Sequence, residues 1–128
     1  MKKCFGFISW FPDDETKRKA RIDRLNKAFK QIHDLWGDDA EFLVVAQNWK
    51  DYKVPSFIKH IQIFRYDKLG ILGARKKLRE HFLKTNYDYL IMCDDDIVLE
   101  KKVPEAIDRF NKMLEKYPPM IYAKPFII

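Results

Sequence analysis

A chain of 128 residues is one domain, or part of one, long enough to bury a core of its own. Its 47% hydrophobic and 15% aromatic content excludes a disordered chain, and four glycines with six prolines exclude collagen-like and low-complexity classes. Lys and Arg number 25 against 19 Asp and Glu, a net charge of +6; this suits nucleotides, sugar phosphates, nucleic acid or an anionic membrane surface as partners, as well as a plain solvated lysine surface.

The apolar run over 3–11 contains β-formers and meets Pro12-Asp13-Asp14 instead of a small-residue cleavage site. It therefore reads as a first strand, buried on both faces as in a parallel sheet, and not as a signal peptide. Over 15–36 the apolar positions Ile22, Leu25, Phe29, Ile32 and Trp36 fall on one helical face, with Gly37 as the stop. A second buried strand spans 41–47, followed by a polar loop over 48–56 that holds Trp49, Tyr52 and Pro55. A third strand spans 58–66. The helix over 69–84 is expected to turn Ile71, Leu78 and Phe82 or Leu83 inward.

A fourth strand over 87–93 runs directly into Asp94-Asp95-Asp96. Val103, Ile107, Phe110, Leu114 and Tyr117 give a last helix over 103–117, with Pro104 near its start and Pro118-Pro119 ending it. The segment 120–128 reads as a further strand. The order β-α-β-β-α-β-α-β predicts a three-layer α/β/α domain with a mostly parallel central sheet.

No segment approaches the ~20 apolar residues of a membrane span. With two cysteines and no export signal, a reduced, cytoplasmic protein with Cys4 and Cys93 as free thiols is expected.

The acidic triplet carries the strongest chemical signal. Open α/β sheets bind ligands at the carboxyl ends of their strands. Three carboxylates there repel one another unless a cation is present. Alternate residues of an extended chain project the same way, so Asp94 and Asp96 can share one divalent ion while Asp95 points elsewhere. Hard Mg²⁺ or Mn²⁺ is the matching metal. An acidic turn capping a helix is the plain alternative.

Three families join a strand to such acids. Asp94-Asp95-Asp96-Ile97-Val98 fits the D-x-D-x-[TV] of haloacid-dehalogenase-type phosphatases, but that motif opens its fold, and only 32 residues follow Asp96. Sugar nucleotidyltransferases need a glycine-rich loop after the first strand, where this chain has Ser9-Trp10-Phe11-Pro12-Asp13. The stretch LGILGARKKLREHFLKTNYDYLIMCDDDIVL over 69–99 resembles the nucleotide-sugar-binding half of GT-A glycosyltransferases, especially family 2. The resemblance rests on Gly73-Ala74-Arg75 opening the helix, Tyr87-Asp88-Tyr89, the apolar strand and Asp94-x-Asp96; a weaker likeness covers most of the chain.

That resemblance implies a UDP- or GDP-sugar donor held through Mn²⁺ or Mg²⁺. Asp94 would lie toward the sugar and ribose, Asp96 would be the main metal ligand, and Arg75 would face the diphosphate or brace the acids. Lys76 stands where the family often has Asn. The loop with Pro12 would face the nucleotide; Trp10 or Phe11 could pack on the base, although core packing is the expectation for each. After the second strand, where the family has a base-recognising acid, this chain has Gln47, whose amide can bond a base edge but brings no charge. Asp51 nearby reads as solvated.

The acceptor and the catalytic base are unassigned, because inverting members place the base beyond the D-x-D, and the 32 residues there hold one helix and one strand. His33, His60 and His81 lack metal-ligand spacing and read as structural or surface residues, and no Ser/His/Asp or Cys/His constellation is present. Two alternatives stand beside glycosyl transfer: a nucleotide- or metal-binding module without catalysis, and a basic nucleic-acid-binding domain, which the lack of a recognised nucleic-acid fold disfavours.

Overall fold

The computed structural model describes residues 2–95 and 101–116. Four strands, β1 (Lys3–Trp10), β2 (Glu41–Gln47), β3 (His60–Tyr66) and β4 (Tyr89–Cys93), and three helices, α1 (Glu15–Trp36), α2 (Gly70–Leu83) and α3 (Val103–Lys116), are joined with one 3₁₀ turn, Gly37–Asp39. All strand pairs are parallel, in the order β3-β2-β1-β4. Phe7 lies at the centre of the sheet, level with Val44 on one side and Cys93 on the other. The segment 120–128, expected as a strand, lies outside the described residues, as does Asp96.

The two-residue alternation of each strand divides the core into two layers. Phe5 and Phe7 of β1, Phe42, Val44 and Ala46 of β2, and Tyr89, Ile91 and Cys93 of β4 face Leu25, Ala28, Phe29 and Ile32 of α1 with Val103 and Ile107 of α3. Cys4, Leu43 and Val45 face the other way, against Ala74 and Leu78 of α2. Helices thus cover both faces of the sheet, as a parallel sheet with continuous apolar strands requires.

α1 starts where Asp14 accepts a hydrogen bond from the Lys17 N–H at 2.9 Å, satisfying one free donor of the first turn. It ends at Gly37, whose φ of +75° is open to glycine at no steric cost. Gly70, at φ +73°, turns the chain into α2 in the same way. The expected inward face of α2 needs correction. Ala74 and Leu78 carry the contact with the sheet and half-buried Phe82, not exposed Leu83, packs beside them as one of the two expected choices, but Ile71 lies exposed.

Gly6 explains the close seat of α2. A Cβ at this position would come within 2.6 Å of Leu90 Cδ1 and 3.2 Å of Leu78 Cδ2.

Candidate functional site

The chain order sets where a ligand can enter. β1, β2 and β3 step outward in one direction, and β4 returns to the opposite side of β1. The carboxyl ends of β1 and β4 therefore flank the point where the winding reverses, the crevice in which open parallel sheets bind ligands. β1 ends there in Trp10-Phe11-Pro12 and β4 in Asp94-Asp95.

Asp95 lies in the turn just past β4, and its carboxylate meets Arg21 of α1 at 3.6 Å. Asp94 is exposed and belongs to no ion pair among the described residues. Asp95 turns toward α1 while Asp94 stays exposed. Asp96, the expected main metal ligand, lies outside the described residues, and among those described no group of three His, Cys, Asp or Glu side chains could hold a metal ion. An exposed carboxylate oxygen donor still fits a hard cation that takes its remaining ligands from phosphate and water.

Trp10 and Phe11 part ways. Phe11 is fully buried, stacked on Trp49 at 5.2 Å and edge-on to Tyr52 at 5.1 Å. Trp10 is 37% exposed, with the Arg21 guanidinium 6.0 Å and the Lys68 ammonium 5.7 Å from its ring centroid. It lines a cavity of about 210 Å³ with Gln47, Lys68, Gly70 and Ile71. Arg21 thus touches both an acid of the β4 end and the indole of the β1 end, and ties the two sides of the crevice together. Sequence reasoning passed over Arg21, because its helical position gives no sign that the β4 carboxylate lies opposite.

Gln47 is buried, and its Oε1 accepts the Leu69 N–H at 2.7 Å just ahead of α2. Its side-chain oxygen therefore has a structural role. Pro12 is buried too, with its carbonyl 3.5 Å from Arg18 Nη1. Arg75 sits exposed in the second turn of α2, outside any ion pair among the described residues.

The rim is held rigidly. Arg18 donates to the Asn48 carbonyl at 2.9 Å and to the Lys50 carbonyl at 2.5 Å, while the Asn48 amide donates to the Phe11 carbonyl at 2.7 Å and to Asp13 at 2.9 Å. The Asn48 hydrogen bond, followed by the charge of Lys50, holds the Asp13 carboxyl below its ordinary range. Trp49 Nε1 donates to Ser9 Oγ at 3.1 Å. The loops after β1 and β2 are thus stitched together. Trp49 and Tyr52, read from the sequence as residues of a polar loop, are core residues.

The histidines are structural or peripheral: His33 meets Asp38 at 2.8 Å, His60 is exposed at the start of β3, and His81 bonds Tyr66 at 2.7 Å. No helix of the described residues is long and apolar enough to cross a membrane.

These features define a parallel α/β domain with an acidic strand end and a cation-flanked indole at its winding reversal. No protein-family model, curated protein or solved structure matches the chain.

Proposed function

We propose that the domain binds a nucleotide sugar through a divalent metal, in the manner of the donor half of a GT-A glycosyltransferase, and that glycosyl transfer is the activity this binding serves. The observation that supports the reading is the position of Asp94-Asp95 at the carboxyl end of β4, beside β1 at the winding reversal. Asp94 and Asp96 would hold Mn²⁺ or Mg²⁺. When bound, the ion neutralises the nucleoside diphosphate as it departs.

In this reading the residues of the chain divide the remaining work. Asp95 and Arg21 neutralise each other and fix the β4 end against α1. Trp10 offers a flat apolar face to the base, and Gln47 an amide to its edge. Arg75 supplies a cation for the diphosphate.

Thermal denaturation with UDP or GDP, with and without Mn²⁺, tests the proposal. Ligand at about 100 times Kd stabilises a fold by about 2.7 kcal/mol. Stabilisation is expected only when nucleotide and metal are both present, and Asp96→Ala should abolish it. An unchanged shift in Asp96→Ala refutes the metal assignment. Release of sugar from a donor in Mn²⁺ separates an enzyme from a module that only holds the nucleotide.

A further inference from the structure

The outer face of α2 is unlike that of a helix facing only water. Ala74 and Leu78 point into the sheet. Leu72, Lys76, Arg79 and Leu83, spaced 4, 3 and 4 residues apart, fall on the opposite side of the helix. Leu72 is 81% and Leu83 72% exposed, and Ile71, 65% exposed, continues the apolar surface to Trp10 at the carboxyl edge.

Basic side chains fill the space between these apolar ones. The segment 68–84 holds Lys68, Arg75, Lys76, Lys77, Arg79 and Lys84 against the single acid Glu80, a net +5 of the chain's +6. Lys77 and Glu80 pair with each other at 3.3 Å, which leaves Lys76 and Arg79 between the two leucines.

We propose that this face of α2 docks onto an anionic lipid bilayer. Leu72 and Leu83 enter the acyl boundary, and Lys76 and Arg79 meet the headgroup phosphates. A helix lying in a membrane interface has this combination of exposed aliphatic side chains and interleaved cations. Charge disfavours a second copy of the chain as the occupant, because two such faces would set Lys76 and Arg79 of one copy against the same cations of the other. Nucleic acid would engage the cations, but it takes an aliphatic side chain only as a wedge that unstacks a base step, at a cost a bilayer does not impose. Leu72, Lys76, Arg79 and Leu83, which carry the proposal, are not among the residues that line the carboxyl-edge crevice or are assigned to the nucleotide there.

Flotation of the 128-residue chain with vesicles tests it. Binding is expected to vesicles of phosphatidylcholine with ~30% phosphatidylglycerol and not to phosphatidylcholine alone, and should weaken in 0.5 M salt. Lys76→Gln with Arg79→Gln should weaken it by roughly thirty-fold, and Leu72→Ser with Leu83→Ser by at least about ten-fold. These positions are exposed, so unchanged thermal unfolding verifies that the variants fold. Equal binding to neutral vesicles, or wild-type binding by either double variant, overturns the proposal. So does duplex DNA binding that survives the leucine changes in a chain that ignores vesicles, or a dimer broken by those changes.

Discussion

His81 shows how one side chain can make the stability of the fold depend on pH. Its ring lies flat on Phe64 at 3.6 Å, and its Nε2 meets the Tyr66 hydroxyl at 2.7 Å. Burial, aided by the charges of Lys84 and Lys77 and opposed by Glu80, holds its pKa below the usual 6.5. The unfolded chain therefore takes up a proton near pH 6.5 that the folded chain still refuses. Stability is full above that pH and falls as the pH drops from 6.5 toward the folded pKa. The urea midpoint should decline between pH 7.5 and 5.5, and His81→Gln should decline less. An equal decline in both would assign the effect to other groups.

Among the elements, the contact of α2 with β1 depends on the absence of one side chain. Gly6→Val would drive methyl groups into Leu90 and Leu78 and should cost about 1–3 kcal/mol as an overpacked core, read as a lower melting temperature. Leu90→Ala in the same chain should restore part of the loss, since Leu90 Cδ1 is the nearest atom. A double variant no more stable than Gly6→Val would show that backbone, not Leu90, is the obstacle.

The elements themselves were largely legible from periodicity. α1 and β2 have the expected bounds; β3 begins at His60 instead of residue 58, and β4 at Tyr89 instead of 87. Contacts between distant segments were not legible. The stack of Phe11 on Trp49 joins two loops, and the Arg21–Asp95 pair joins a helix to a strand end, and neither leaves a repeating pattern in sequence. Ile71 of α2 was misplaced for a related reason: hydrophobic spacing locates a helix, but not which apolar residues turn from the core when both sides carry them.

For the molecule as a whole, the two thiols report on cooperativity. Cys4 and Cys93 are free and buried, on adjacent strands but on opposite faces of the sheet. Cys93 is level with Phe7, three positions beyond Cys4, or about 10 Å along the strand, outside the ~7 Å reach of a disulfide. Burial, followed by the nearby Glu41 charge, pushes the Cys4 thiol up to about 12, and burial likewise raises Cys93. A thiol that is both covered and protonated is a poor nucleophile. An aromatic disulfide reagent should label neither cysteine in the folded chain, and both in urea, at rates that follow global unfolding. Rapid labelling of Cys93 alone in native buffer would show that β4 opens by itself.

The place of β1 in the middle of the sheet also bears on synthesis. Of the four strands it is made before the others, finds β2 once residue 47 is made, and keeps its other edge unpaired until residues 89–93 follow. Until α2 follows within that interval, Cys4, Leu43 and Val45 also lack the cover that Ala74 and Leu78 provide. A nascent chain paused before α2 therefore shows the ribosome's surroundings a bare strand edge and an apolar sheet face together, the two surfaces by which unfinished proteins associate and which chaperones recognise.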